Sequence, residues 1–308
     1  MKIIAVLNRE GGTFRSLDIE RFCASATEIF TRQGHEIDCR PTSAENIVAA
    51  LEQAATKGDG DVLMAGGGDG TVSAAAEIAW KTDTALAVLP AGTMNLFARS
   101  LKVPLALTAA LEALASGEIR NVDIATANGR PFVHQFAIGF HPRMVRVRKN
   151  FRYESRLGKM LASVRAIRMV INDPPSFPVE LTIAGKTMPR NVSALAFSNN
   201  PYGDAPLPYA PDVETGYLGV YVARALPSEN YIRLMADILL GRWRRNKDIE
   251  EMTAREVTLR FPRLRRNANA VVDGELVPLE DEIVEIVIHP GSLKVLVPRS
   301  DVPELPKT

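Results

Sequence analysis

Ala65-Gly66-Gly67-Gly68-Asp69-Gly70-Thr71 is a glycine-rich turn that separates the apolar stretch Val62–Met64 from the helix-like stretch Val72–Trp80. This order is typical of a strand that turns into a helix at the carboxyl edge of a parallel sheet, where unsatisfied helix N–H groups favour anions. Since a carboxylate such as Asp69 needs a cation between itself and a phosphate, the turn indicates a phosphate site that uses Mg²⁺. A tight turn with Asp69 or Thr71 as a helix cap is the alternative.

Two further polar turns follow buried-strand patterns in the N-terminal part of the chain. Residues 8–13 (NREGGT) follow the strand pattern Lys2–Leu7, and residues 90–95 (PAGTMN) follow Ala85–Leu89. Strand and helix patterns alternate as far as Ala115, which predicts a parallel sheet with helices on its faces. Right-handed crossovers would place all three turns on the same edge of that sheet.

The pattern changes near Asn121. Val122–Ala127 and Pro131–Gly139 flank an Asn-Gly pair, which predicts a hairpin. Short alternating stretches from Phe177 to Val297 predict an antiparallel sheet or sandwich, interrupted by helices at Tyr153–Ile171 and Ser228–Leu240. We therefore predict a Rossmann-like α/β domain over residues 1–122, a β-rich domain over 123–300 and a loose tail over 301–308.

Composition narrows the class of protein. The net charge of +1 gives no reason to expect a nucleic acid partner. The only two cysteines, Cys23 and Cys39, have no metal-ligand spacing and are expected to be reduced thiols. No signal peptide or membrane-spanning run is recognisable, so we expect a cytoplasmic protein whose membrane contact is peripheral. The sequence leaves the oligomeric state open, and a homodimer is one of the states that it allows.

Three motifs together resemble the diacylglycerol/sphingoid lipid kinase family, most closely its soluble bacterial members. They are GGDGT at residues 67–71, PAGTMNLFAR at 90–99 and Val-Asp-Gly-Glu at 272–275. The first motif alone is shared with NAD kinases and phosphofructokinases, but the combination is more specific and the resemblance extends from Asn8 to Val297. It implies a nucleotide-binding domain of the NAD kinase/diacylglycerol kinase type, followed by a β-rich domain that binds the lipid acceptor.

The resemblance implies an ATP- and Mg²⁺-dependent kinase that transfers the γ-phosphate to a hydroxyl of diacylglycerol or a related lipid, such as a sphingoid base, ceramide or glycerolipid. The residues that would contact ATP are Asn8, Gly11, Gly12, Thr13, Thr42, Gly67, Gly68, Asp69, Gly70, Thr71, Gly92, Thr93 and Asn95. Asp69 and Asp123 match acids linked to the catalytic Mg²⁺. Asp273 matches the proposed general base, with Glu275 beside it. From the residues alone, Asp273-Gly274 could equally be a plain hairpin turn, and Asp123 a strand-end carboxylate.

Departures from the family pattern keep other functions open. Leu96 replaces an aspartate of the family, and Thr215 begins the turn that in some members is Asp-Gly-Leu-Leu and helps to hold a structural Mg²⁺. A non-catalytic nucleotide- or lipid-binding regulator is therefore one alternative. A kinase for a soluble acceptor such as NAD is the other.

Basic residues are concentrated in two places. Residues 141–170 contain nine Lys or Arg and one acid, with an amphipathic helical pattern, and residues 242–247 read RWRRNK. Basic amphipathic helices with aromatic residues suit anionic membrane surfaces, so either stretch could contact the inner face of the membrane. A solvated helix face that helps to neutralise ATP phosphates is the alternative.

Overall fold

The computed structural model describes residues 1–56, 58, 60–140, 142, 176–205, 207–225, 230, 233, 234, 237 and 242–299. The predicted helix at Tyr153–Ile171, most of the one at Ser228–Leu240 and the predicted tail lie outside these residues. The chain forms two compact units. The first comprises Met1–Ile124, Pro211–Glu214 and the residues from Pro290 onward, and the second comprises Ala125–Ala210 and Thr215–His289.

The first unit is a parallel sheet with helices between its strands. Its strands are β1 (Lys2–Asn8), β2 (Glu36–Thr42), β3 (Val62–Gly67) and β4 (Ala85–Pro90), in the order β2-β1-β3-β4. Its helices are α1 (Ile19–Arg32), α2 (Ile47–Thr56), α3 (Asp69–Thr82), α4 (Leu96–Ser100) and α5 (Leu107–Ala115), with a 3₁₀ turn at Gly12–Ser16. Every residue of β3 and β4 is buried, as expected for parallel strands covered on both faces. The predicted α/β class is confirmed.

The second unit is antiparallel. Its strands are β6 (Arg130–Phe132), β7 (Gln135–Gly139), β8 (Phe177–Ile183), β9 (Lys186–Ser198), β10 (Leu218–Arg224), β11 (Ile249–Ala254), β12 (Glu256–Arg260), β13 (Asn269–Val272) and β14 (Glu275–Pro278). They pair in the order β14-β13-β7-β9-β8-β12, while β10 pairs with β9 and β11 with β10. Alternate side chains such as Leu181, Phe197, Val220 and Leu259 form the core, so the predicted β-rich class is also confirmed.

Two strands contribute residues to both units, β5 (Glu118–Ala127) and β15 (Ile283–Val297). In the second unit β15 pairs with β12, and in the first unit its later residues pair in parallel with β4, where Val295 lies beside Leu86. The prediction treated each domain as one continuous segment and assigned residues 290–300 to the β-rich domain. A strand whose two halves belong to different units cannot be recognised from its own alternating pattern.

The single strand predicted at Pro131–Gly139 is wrong, because the structure breaks it between β6 and β7. Successive N–H groups of an extended strand point to opposite sides. The N–H groups of Val133, His134 and Gln135 instead all donate to one carboxylate, that of Asp273. The break is therefore caused by a residue almost 140 positions later in the chain.

Cys23 on α1 and Cys39 on β2 are in hydrogen-bonding contact, which their separation in sequence did not reveal. Both side chains are partly buried free thiols. The hydrogen bond from Cys39 lowers the pKa of the Cys23 thiol. The same hydrogen bond, together with burial, raises the pKa of the Cys39 thiol.

We expect iodoacetamide to alkylate Cys23 before Cys39, because the thiolate is the reactive form. Mass spectrometry of peptides from partly labelled native protein measures the ratio of alkylated Cys23 to alkylated Cys39. Cys39→Ala should slow the labelling of Cys23, since it removes the hydrogen-bond donor that favours the thiolate. Equal labelling of the two cysteines in the native protein would contradict this expectation.

Two side chains of the basic segment 242–247, those of Trp243 and Arg244, make contacts within the second unit. The Trp243 side chain is only 8% exposed and packs against Tyr202 and Tyr221. Arg244 forms ion pairs with Asp204 and Glu251. The tryptophan is therefore packed within the second unit, and membrane contact by this segment stays a prediction. Within the described part of the chain, no helix is both long and apolar enough to cross a bilayer.

Candidate functional site

Three turns of the first unit meet at the carboxyl ends of neighbouring parallel strands. In the first turn, the Thr13 N–H donates to the carbonyl of Ala91 in the third turn at 2.8 Å. The Ala91 N–H donates to the carbonyl of Gly67, at the start of the second turn, at 2.9 Å. The Arg9 N–H donates to the Thr42 carbonyl at the end of β2 at 3.0 Å. The three turns and the end of β2 therefore form one hydrogen-bonded edge.

Close contact between these turns requires glycine at positions 12 and 92. Gly12 has a φ of +49°, and a Cβ atom there would lie 1.6 Å from the Ala91 carbonyl oxygen. A Cβ atom on Gly92 would lie 2.6 Å from the Cα of Gly68. Because no side chain separates these segments, their backbones pack directly on one another and a ligand can approach the backbone closely.

Asp69 ties the second turn to the third. It is the first residue of α3, and its two carboxylate oxygens accept the N–H groups of Asn95 at 3.1 Å and Leu96 at 2.7 Å. Those N–H groups lie at the start of α4, so Asp69 is a cap, but for α4 rather than for its own helix. Asn95 adopts a left-handed φ of 51° and closes the third turn through both backbone groups of Gly92.

Asp69→Asn is expected to lower the free energy of unfolding by about 1–2 kcal/mol. An amide has only one acceptor oxygen, whereas the N–H groups of Asn95 and Leu96 each bind a separate oxygen of the carboxylate. Urea denaturation measures the change. Glu77→Gln on the exposed face of α3 is the matched control. That substitution removes a surface ion pair with Lys81 and should lower the free energy of unfolding by less than about 0.5 kcal/mol. Equal effects of the two substitutions would contradict the capping role.

The start of α3 is accessible at this edge. Gly68 and Asp69 are half-buried and Gly70 is exposed, whereas Thr71 is buried. The first N–H groups of a helix have no partner within it and carry the positive end of the helix dipole. This position can therefore accept phosphate oxygens. The residues predicted to contact ATP all lie at the carboxyl ends of β1, β2 and β3, in the turns after β1, β3 and β4, or in the first turn of α3.

An open cavity of about 760 Å³ adjoins the first turn. Its lining residues are Arg9, Glu10, Phe14, Arg15, Leu17, Ile19 and Ala44. Its volume lies within the usual range of small-molecule sites. Sequence reasoning did not single out the residues from Phe14 onward as part of a site, because they belong to no motif that it recognised.

The predicted metal ligands do not form a ready-made cluster. The Asp123 side chain is 2% exposed, and its Oδ1 accepts the Gly291 N–H at 2.9 Å. Both oxygens of Asp69 already accept backbone N–H groups. Among the described residues, no group of three or more His, Cys, Asp or Glu side chains could hold a metal ion. Mg²⁺ often takes only one or two carboxylates when phosphates and water complete its shell, so Asp69 fits a site that forms with the nucleotide.

Asp273 lies in the turn between β13 and β14 of the second unit and is 7% exposed. Its Oδ1 accepts the N–H groups of His134 at 2.9 Å and Gln135 at 2.8 Å, and its Oδ2 accepts that of Val133 at 3.0 Å. Its own N–H donates to the Gln135 carbonyl at 2.9 Å. Asp273 and Gly274 both have positive φ, so this is a hairpin turn of the type that Asp-Gly favours.

Glu275, two residues later, is in a different environment. Its side chain is 63% exposed, and one oxygen lies 3.4 Å from the guanidinium of Arg130. An exposed ion pair of this kind is weak. Of the two acids predicted on the acceptor side, Asp273 is bonded to backbone whereas Glu275 is open to solvent.

The two departures from the family pattern both lie in hydrogen-bonded segments, Leu96 at the start of α4 and Thr215 in a turn. The Leu96 N–H donates to Asp69, so the turn keeps its form without a carboxylate at position 96. The Thr215 hydroxyl accepts from Asn200 at 2.8 Å and from the Tyr217 N–H at 3.3 Å. Thr215 therefore organises its turn through a hydroxyl where the family pattern has an aspartate.

Sequence reasoning missed the segment 133–135, which binds the Asp273 carboxylate. Its residues belong to no motif that we recognised. The only local signal was the polar pair His134 and Gln135, which follows Val133 inside an otherwise apolar strand pattern.

Comparisons with known proteins agree with these two units. Residues 2–127 match the model of the diacylglycerol kinase catalytic domain, and residues 141–297 match that of the YegS C-terminal NAD kinase beta sandwich-like domain. A candidate diacylglycerol kinase structure from Bacillus anthracis superposes with a TM-score of 0.74 at 21% identity, over 98% of this chain and 96% of that one. That likeness shows the fold.

Curated relatives match over shorter stretches. A Pseudomonas aeruginosa protein named "Probable lipid kinase YegS-like" is 36% identical over 109 residues, which are 35% of this chain and 36% of that protein. The "Diacylglycerol kinase" of Staphylococcus haemolyticus is 32% identical over 110 residues, 35% of this chain and 33% of that protein. The chain thus spans about a third of the length of these two relatives. The family models cover nearly the whole sequence, and the chain belongs to the diacylglycerol kinase-like family whose catalytic domain is joined to a YegS-type C-terminal domain.

Proposed function

We propose that this protein transfers the γ-phosphate of ATP to a hydroxyl group of a lipid such as diacylglycerol. The observation that carries the proposal is the edge of the first unit, where three turns converge on the accessible start of α3. Backbone N–H groups at such a helix start bind phosphates. The family and the names of its relatives support a lipid acceptor.

On the nucleotide side, the task is to position the phosphates and to neutralise their charge. The N–H groups of Gly68–Thr71 bind phosphate oxygens, while Gly12 and Gly92 let the neighbouring turns close around them. Mg²⁺ supplies charge neutralisation when it is bound with ATP. Asp69 holds the second and third turns together, and each of its carboxylate oxygens retains acceptor capacity beyond the one N–H group that it accepts. Asp123 is buried and bonded to Gly291, so we assign it no direct contact with the metal.

On the acceptor side, the proposal assigns the two carboxylates different tasks. Glu275, which is exposed, takes the proton of the lipid hydroxyl. As the hydroxyl oxygen bonds to the γ-phosphorus, the bond between that phosphorus and the bridging oxygen breaks, and ADP leaves. Asp273 fixes the hairpin that presents Glu275, because its own oxygens are occupied by three backbone N–H groups. This assignment differs from the sequence-based expectation, in which Asp273 is the base.

Glu275→Gln is expected to lower phosphate transfer by about 10²–10⁴-fold, because it removes the proton acceptor. The free energy of unfolding should change by less than about 0.5 kcal/mol, since the side chain is exposed. Initial rates and urea denaturation measure the two effects. Glu280→Gln, at an exposed position of the same unit, is the control. Full activity of Glu275→Gln would exclude Glu275 as the base and return that role to Asp273.

The acceptor class is tested with [γ-³²P]ATP, Mg²⁺ and a panel of acceptors in mixed micelles: diacylglycerol, a sphingoid base, ceramide and a glycerophospholipid. Transfer to a lipid is the expected result. Transfer only to NAD, offered in detergent-free buffer, would instead establish a kinase of a soluble acceptor. Tight ATP binding without transfer to any acceptor would establish a non-catalytic regulator.

We also propose that the protein contacts an anionic membrane surface through the basic stretch 141–170, whose composition carries this proposal. Sedimentation with vesicles tests it. Binding to vesicles that contain phosphatidylglycerol, weakened by salt, is expected. Equal binding to vesicles of phosphatidylcholine alone would argue against it.

A further inference from the structure

The loop after β9 carries a buried tyrosine that the proposed mechanism does not use. Tyr202 is 7% exposed, and its ring stacks on that of Tyr221 with centroids 4.9 Å apart and planes at 15°. Trp243 packs edge-on against both rings, at 6.3 Å and 5.3 Å. We call Tyr202, Tyr221 and Trp243 the aromatic cluster. Its rings leave Tyr202 little freedom to move.

The backbone of Tyr202 is fixed as well. Its N–H donates to the Tyr221 hydroxyl at 2.7 Å, and its carbonyl accepts from the Arg244 guanidinium at 2.6 Å. Arg244 is held in turn by Glu251 at 2.7 Å. Tyr202 is thus anchored through its ring, its N–H and its carbonyl, which leaves the hydroxyl as the group that reaches outward from the cluster.

That hydroxyl donates to the side-chain carbonyl of Gln135 at 2.8 Å. Gln135 in turn exchanges two hydrogen bonds with Asp273, through its N–H at 2.8 Å and its carbonyl at 2.9 Å. Burial, with smaller contributions from Tyr221 and the Asp273 charge, raises the pKa of Tyr202 well above its ordinary value. The hydroxyl therefore keeps its proton and remains a donor to Gln135 at neutral pH.

We propose that Tyr202 is a positioning residue for the hairpin 272–275, acting through Gln135 on Asp273 and so on the placement of Glu275. The proposal rests on the proposed function, in which Glu275 accepts the proton of the lipid hydroxyl. Nothing in the sequence motifs assigns this task to the loop after β9. A small displacement of a proton acceptor lowers the rate of the chemical step without changing how the nucleotide binds.

Tyr202→Phe tests the proposal, because it removes the hydroxyl and retains the ring in the aromatic cluster. We expect kcat to fall about fivefold to twentyfold with the KM for ATP unchanged. Amide hydrogen exchange in the peptide containing residues 133–135 should accelerate about fivefold to tenfold. The melting temperature should fall by only about 2–4 °C. Tyr209→Phe is the matched control, a tyrosine of the same loop whose hydroxyl has no hydrogen bond to Tyr202, Gln135 or Asp273 among the described residues.

A double-mutant cycle with Gln135→Ala separates positioning from general weakening of the fold. If Tyr202 acts through Gln135, the double substitution should lower kcat no further than Gln135→Ala alone. Unchanged exchange at 133–135 in Tyr202→Phe, additive losses of kcat in the cycle, or an equal effect of Tyr209→Phe would each overturn the proposal. If the wild-type protein phosphorylates no lipid, the proposed function fails, and the exchange measurement still decides whether Tyr202 holds the hairpin.

Discussion

Asp273→Ala is expected to lower the free energy of unfolding by about 3–5 kcal/mol, since three backbone N–H groups, one buried and two partly buried, lose their acceptor at once. Those of Val133, His134 and Gln135 lie 2.8–3.0 Å from the carboxylate oxygens. Alanine offers no acceptor, and at the position of the Asp273 side chain, which is 7% exposed, water has little access to replace the carboxylate. Chemical denaturation followed by circular dichroism measures the loss.

The matched control is Glu280→Ala, an acid at an exposed position of the same unit, which should change stability by less than about 0.5 kcal/mol. Asp273→Ala should also lose phosphate transfer, but that loss alone would not make Asp273 the base. Comparison with Glu275→Gln distinguishes the two tasks, because only one of the two substitutions should destabilise the fold. An Asp273→Ala protein as stable as the control would show that the three N–H groups find other partners.

Gly12→Ala is expected to have the second large effect, on the nucleotide side. The new Cβ would lie 1.6 Å from a backbone oxygen and 2.7 Å from the carbonyl carbon of Ala91, and no rotamer can move it away. The first and third turns would have to separate, which breaks the hydrogen bond from Thr13 to Ala91. We expect a loss of about 3–4 kcal/mol in the free energy of unfolding and at least about tenfold weaker ATP binding.

Gly34→Ala separates this steric effect from the cost of a positive φ. Gly34 belongs to the same unit and has a φ of +73°, but nothing lies within 4 Å of a Cβ placed there. Gly34→Ala should therefore lower the free energy of unfolding by only about 1–2 kcal/mol and leave ATP binding unchanged. Denaturation and isothermal titration calorimetry with ATP compare the two proteins. Equal results for Gly12→Ala and Gly34→Ala would refute the close approach of the two turns.

Asp69 shows how far a motif can be taken from sequence alone. The motif GGDGT predicted the turn, its place after a buried strand and the helix that follows, and the structure has all three. The motif also suggested a metal ligand, on the argument that an acid beside a phosphate needs a cation. The structure gives Asp69 a second task, because Asn95 and Leu96, more than 25 residues later, place their N–H groups on its two oxygens.

Sequence patterns alone predict the α/β character of the first part of the chain, the β character of the second, and the turns at which ligands approach the backbone. These depend on hydrophobic periodicity and on local glycine chemistry, both of which can be read from neighbouring residues. Which side of the Asp273-Gly274-Glu275 turn is buried could be found only from the folded chain. The N–H groups of residues 133–135 bind the Asp273 carboxylate, and Tyr202 binds Gln135. Such hydrogen bonds between distant segments leave no periodic trace in the sequence.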